Sequence, residues 1–198
     1  MKSCIRNGFL AGLLIGIGCI ANVVSLNPIL GAFLFSLALL TICIFKLSLC
    51  TGQFGYINSL SDFKECLITM VFNAIGVAFI CFLVKNFSSI SIDTCELVQA
   101  KINESWYDAL VRGFGCGILI YIAVECFKSY YDRYSIISSA HPLLVIMPVM
   151  AFIICGFDHC IANYGYMVLC NVYWTNNFLY WVVGNLIGAL FISKIFYK

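Results

Sequence analysis

Ile154-Cys155-Gly156-Phe157-Asp158-His159-Cys160-Ile161-Ala162-Asn163 decides how this chain is read. The ten residues sit inside an apolar run from His141 to Val172, yet they put a glycine, a carboxyl, an imidazole and an amide at its centre. An ionisable group near the middle of a bilayer is costly unless it faces protein or a water-filled cavity, so such groups mark candidate sites. From His141 to Cys155 a helix covers only about 22 Å at 1.5 Å per residue, short of a hydrocarbon core of roughly 30 Å. The stretch therefore predicts a span broken at Gly156, with a second half-helix starting near Cys160.

The rest of the chain agrees with a membrane location. Of 198 residues 63% are hydrophobic and 10% charged, and the mean hydropathy is +1.00, which leaves too little polar surface for a soluble domain of this size. The net charge of +2 is too small and too scattered to suggest nucleic acid as a partner. Met1 to Asn7 is a short charged lead, and the apolar run behind it has no convincing cleavage site, so it reads as a first span rather than a signal peptide. The twelve cysteines lie mostly in apolar runs (Cys19, Cys43, Cys81, Cys116, Cys126, Cys155, Cys170) and contain no Cys-x-x-Cys pair. They read as small packing residues, not as a redox or metal centre.

Six spans follow: Gly8 to Leu26, Pro28 to Ile57, Cys66 to Val84, Ala109 to Phe127, His141 to Val172 and Phe178 to Tyr197, the second and fifth long and interrupted. The polar segment between Lys85 and Asp108 reads as the longest loop. An even number of spans puts both termini on one side. Lys2, Arg6, Lys64, Lys128, Arg133, Lys194 and Lys198 share that side, against Lys85, Lys101 and Arg112 on the other, so the positive-inside bias predicts cytoplasmic termini in a cell-membrane protein. Lys46 falls within the second span, beside its interruption.

The two halves of the chain match in order. Asn7-Gly8-Phe9-Leu10-Ala11-Gly12 resembles Arg112-Gly113-Phe114-Gly115-Cys116-Gly117; Gln53-Phe54-Gly55-Tyr56-Ile57 resembles Asn163-Tyr164-Gly165-Tyr166-Met167; Asn73-Ala74-Ile75-Gly76 resembles Asn185-Leu186-Ile187-Gly188. Three spans per repeat means that the repeats insert with opposite topology, and inverted repeats with broken helices build a site at the midplane. The chain is thus expected to be a single all-α transmembrane domain over residues 1–198, with inverted three-helix repeats at about 7–84 and 109–197. Half-helix N-termini at the two breaks would aim backbone N–H groups at an anion. Asp158 is expected to cap the second half-helix and to lie near Lys46 across the pseudo-two-fold.

Gly156-Phe157-Asp158-His159-x-x-Ala162-Asn163 resembles the Gly-Phe-Glu-His-x-x-Ala-Asn signature of the formate/nitrite transporter family. Leu49-Cys50-Thr51-Gly52 and Gly184-Asn185-Leu186-Ile187-Gly188 are similar to that family's second- and sixth-span motifs. The resemblance implies an aquaporin-like fold, a homopentamer in the bilayer, and in each protomer a pore for small monovalent anions and protons, with no cofactor and no enzymatic activity. It also implies roles. His159, Thr51, Asn163 and Asn185 would line the pore, and Phe35, Leu39, Leu49 and Phe152 would form its apolar constrictions. Lys101 would sit in a vestibule, with Lys46 and Asp158 as the other electrostatic candidates. Three residues depart from the pattern: Cys50 where Phe is usual, Gly117 where Asn is usual, and Lys46 where Gly is usual. Within this reading the permeant could be formate, nitrite, hydrosulfide, lactate or acetate. Other classes are an aquaporin-like channel for neutral solutes, disfavoured because paired Asn-Pro-Ala motifs are missing, and a membrane thiol oxidoreductase, disfavoured by the cysteine spacing. His141, next to Pro142, is expected at the membrane interface without a role.

Overall fold

Where an apolar run is uninterrupted the backbone satisfies itself in one long helix, the arrangement a bilayer demands of a spanning segment. Four such helices appear in a computed structural model of the chain, which describes residues 2–134 and 141–196: α1 (Lys2–Val24), α4 (Leu60–Phe87), α6 (Trp106–Tyr134) and α9 (Asn177–Phe196). By length and composition all four can cross a membrane. α1, α4 and α6 run a turn or more past the apolar windows of the sequence at one end at least, because backbone hydrogen bonding continues where hydropathy stops, while α9 matches its window closely. The side chains of Lys2 and Arg133, and all of Lys198, which entered the orientation count, lie outside the described residues.

The two interrupted runs form broken pairs. The second is α2 (Pro28–Ile44) followed by α3 (Cys50–Gln53) and a 3₁₀ turn at Phe54–Tyr56; the fifth is α7 (Leu143–Ile154) followed by α8 (Cys160–Leu169). Asn27 caps α2 by accepting from the Ile29 and Leu30 amides at 2.9 and 3.1 Å, with Pro28 in the first turn. Both breaks are made the same way. Lys46 (φ 51) and Gly156 (φ 71) take the left-handed conformation just past α2 and α7. The next amide then bonds back across the last turn, Leu47 N–H to Ile42 O at 2.9 Å and Phe157 N–H to Phe152 O at 2.9 Å. That is a Schellman closure, in which glycine is the favoured residue and lysine is strained.

Asn73 on α4 and Asn185 on α9 then hold the chain beyond each break. The Asn73 amide accepts from Cys50 N–H at 2.9 Å and donates to Ser48 O at 2.9 Å and Gly8 O at 2.8 Å. The Asn185 amide accepts from Cys160 N–H at 3.0 Å and donates to Asp158 O at 2.6 Å and Gly113 O at 2.8 Å. These are the partners that the repeat matches pair with one another. The same glycines let the helices approach: a Cβ on Gly12 or Gly117 would overlap the carbonyl of Asn73 or Asn185. Gly117 is therefore a packing glycine, the counterpart of Gly12. α1 packs on α4 and α6 on α9, while α2 and α7 cross between the halves.

One expectation about the loops is corrected. The polar segment before Asp108 contains a helix, α5 (Cys95–Ile102), which buries Val98 and directs Leu97 and Lys101, four residues apart, toward the second of the cavities described below. His141, expected at the membrane interface, is buried within the protein. Its ring lies 4.1 Å from that of Phe127, nearly parallel, and its Nε2 is 2.9 Å from Phe127 O.

Candidate functional site

The half-helices α3 and α8 enter the bundle from opposite ends and bring Thr51 and His159 together. Thr51 Oγ1 lies 2.9 Å from His159 Nε2, and both side chains are buried. The second ring nitrogen is also engaged. His159 is the N-cap of α8, where its Nδ1 accepts the Ala162 N–H at 3.1 Å. An accepting Nδ1 leaves the proton of a neutral imidazole on Nε2, so the hydrogen-bond pattern assigns His159 as donor to Thr51, whose own O–H is then available to a third partner.

Apolar side chains surround this pair. Phe152 stacks on the His159 ring at 5.8 Å, and Phe35 meets Phe152 edge-on at 5.9 Å. Phe35, Leu39, Leu49 and Phe152 are all buried. A cavity of about 540 Å³ reaches Leu39 and Leu49 from one end, where Lys46, Gln53, Tyr56 and Lys128 also line it. A second, of about 430 Å³, reaches Phe152 and His159 from the other, lined by Asn22, Asp93, Lys101, Asn163 and Tyr166. Lys101 lies just before the first turn of α6 and Lys128 near its end, so the cavities open at opposite ends of that long helix.

Other candidates serve roles the sequence did not indicate. Asp158 does not cap α8, because His159 does; its Oδ1 accepts from Asn163 Nδ2 at 2.8 Å and forms a salt bridge with Lys101. Lys46 is exposed at the mouth of the first cavity, so the expected Lys46–Asp158 pair is replaced by Lys101–Asp158. The long side chain of Lys101 reaches Asp158 from α5, an element the sequence did not reveal. Asn185 is fully buried, with its amide engaged by three backbone groups, and it lines neither cavity; it is placed as a clamp behind the site. The Cys50 and Cys160 amides, expected to face an anion, are held by Asn73 and Asn185 instead.

Glu104 and Arg112, not anticipated as site residues, complete the cluster around Asp158. Arg112 pairs with Asp108 at 3.1 Å and with Glu104 Oε1 at 3.5 Å. Glu104 Oε2 and Asp158 Oδ2 are both buried without a hydrogen-bond donor. Burial, and the Asp158 carboxylate beside it, push Glu104 up to about 7. With that proton in place Glu104 can donate to Asp158. No sequence signal short of finding α5 could have brought Glu104 to Asp158. Asn73, by contrast, was legible from its repeat match with Asn185.

A sequence model of the family described as "Formate/nitrite transporter" matches residues 1–198. The chain belongs to the formate/nitrite transporter family. Among curated proteins it is similar to the uncharacterized transporter YrhG of Bacillus subtilis (strain 168), 23% identical and covering all of this chain and 85% of that one. It is also similar to the formate channel FocA of Haemophilus influenzae, 25% identical over 70% of this chain and 52% of that one. Among solved structures its fold is that of an ion channel of this family, with a TM-score of 0.79, 20% identity, and coverage of 98% of this chain and 88% of that one. It also matches a pentameric formate channel with formate bound, with a TM-score of 0.75, 19% identity, and coverage of 100% and 97%. The expected fold class, an all-helical membrane channel with broken second and fifth segments, is the observed one. Family and fold are those of multi-pass membrane channels and transporters for small anions or their weak acids.

Proposed function

We propose that this protein conducts small monovalent anions, with formate and nitrite foremost, through a pore in each protomer, and that they cross the constriction as neutral weak acids. The observation that carries this reading is the hydrogen-bonded Thr51–His159 pair, buried among Phe35, Leu39, Leu49 and Phe152 between two cavities. A bare anion entering that passage loses its hydration against apolar walls, at a cost of several kcal/mol. A protonated acid avoids most of it and needs only hydrogen-bond partners, which the Thr51 hydroxyl supplies.

His159 acts in this scheme as a neutral donor that orients Thr51. Protonating Nδ1 would set an N–H against the Ala162 N–H and undo the cap of α8. The proton that neutralises the permeant is therefore taken up in the vestibules, where water reaches. The Lys101–Asp158 pair leaves less free positive charge in the second vestibule than an unpaired lysine would, so Lys101 works as part of a cluster with Asp158, Asn163 and Arg112.

The domain reading goes with this function: one transmembrane domain, six crossings, and inverted repeats at about 7–84 and 109–197. Homopentameric assembly is supported by the likeness to a pentameric formate channel. Cytoplasmic termini, with the second cavity opening outward, are supported by the basic residues of the sequence. Uptake into proteoliposomes of formate, nitrite, lactate and hydrosulfide over a pH series tests the reading. Uptake of one or more of these that rises as pH falls is expected. Passage of neutral solutes such as glycerol, with no uptake of the weak acids at any pH, would overturn it in favour of a neutral-solute channel.

A further inference from the structure

The second vestibule depends on α5, and α5 is only eight residues long. A helix of that length has little stability of its own and keeps its place by what it touches. Its C-terminal end is well held. Asn177 at the start of α9 donates to the carbonyls of Lys101 and Glu104, each at 3.0 Å, and Lys101 reaches Asp158. At its N-terminal end the non-covalent hold is weak, a Thr94 Oγ1 to Tyr166 O contact at 3.5 Å.

Cys95, the first residue of α5, and Cys170, just past the end of α8, meet at this weak end. Their Sγ atoms lie 2.6 Å apart, although 75 residues separate them in the chain. Both are free thiols in this structure, and the separation is shorter than unbonded sulfurs in ordinary contact, so only a small movement reaches the bonded distance of about 2.05 Å. Cys95 is exposed, so an oxidant can reach it. We propose that Cys95 and Cys170 form a structural disulfide that staples α5, and with it Lys101, to the end of α8. The bond rests on the orientation given above, which puts this end of the bundle outside the cytoplasm, where disulfides persist. Two thiols lose two protons and two electrons as the S–S bond forms. The electrons reduce the disulfide of an extracytoplasmic thiol oxidase or exchange protein to two thiols.

Cells producing the full-length protein are quenched in acid, their free thiols are alkylated, and the purified protein is digested without reductant for mass spectrometry. A peptide pair joining Cys95 to Cys170, lost on reduction, is expected. Alkylation of both residues without prior reduction, or either one joined elsewhere, overturns the staple. Orientation is read separately from a reporter fused to the C-terminus, so a reporter inside the cell with both thiols free sinks the disulfide alone. Thermal unfolding of the detergent-purified protein supplies a second readout. Reductant should lower the midpoint of the natural sequence and leave Cys95→Ser, already low, unmoved; an equal response in both would overturn the proposal.

Discussion

His159 does two jobs with one ring: Nδ1 caps α8 and Nε2 holds Thr51. His159→Phe keeps a ring of similar bulk but loses both. Losing the donor that orients the Thr51 hydroxyl toward the permeant is worth roughly 1 to 3 kcal/mol, hence about a 5- to 150-fold fall in flux, and the lost cap weakens folding by about 1 kcal/mol. His159→Asn retains a favourable N-cap and a donor, so it should keep more flux than His159→Phe; formate uptake by the two variants in proteoliposomes checks the order. Glu104 is the residue that should shape the pH profile. Its folded pKa stands at about 7 against an ordinary 4.5, so the folded chain binds a proton that the unfolded chain releases. The stability from this group is therefore complete below about 4.5 and falls as pH rises through 7. Over the same range the cluster of Lys101, Arg112, Asp108, Asp158 and Glu104 gains one negative charge, which repels anions from the second vestibule. Glu104→Gln keeps the neutral form, and its anion uptake should decline less steeply between about pH 6 and about pH 8 than that of the natural sequence. Parallel profiles would count against the role.

The broken segments make two predictions about elements. Gly117 lies against the Asn185 backbone, and Asn185 holds the start of α8. Gly117→Ala forces α6 and α9 apart at a cost of about 1 to 3 kcal/mol, and it should lower both the unfolding midpoint and the flux. Lys46 occupies the left-handed position that Gly156 fills in the other half. Lys46→Gly relieves about 1 kcal/mol of backbone strain, and a rise in thermal stability measured in detergent would bear this out. Both breaks were legible in the sequence, since polar residues and glycine interrupted apolar runs too long to be ordinary loops and too short to span in two. Their closures were not, because a Schellman turn is written in backbone angles that lysine as well as glycine adopts.

For the whole molecule the expectation is a closed ring of protomers. Long helices expose Leu67, Val71, Ile75, Phe79, Phe82, Val183, Ile187 and Phe191, apolar faces that suit lipid or a neighbouring protomer and not water. Native mass measurement in mild detergent should give five copies; a monomer would sink the assembly. Local composition and periodicity by themselves determined the membrane location, the long apolar helices, the two breaks and the matching of the halves, because a bilayer forces every backbone group into helix wherever the chain is apolar. The Gly156 to Asn163 motif also determined the family and placed His159 at the centre. What only the tertiary structure decided is who meets whom across long sequence separations. Lys101 rather than Lys46 reached Asp158, Asn185 became a clamp rather than a pore wall, and Glu104 joined a buried carboxylate. Those partners are chosen by how the helices and the short α5 pack, which sets the reach of each side chain, and no local pattern encodes that distance.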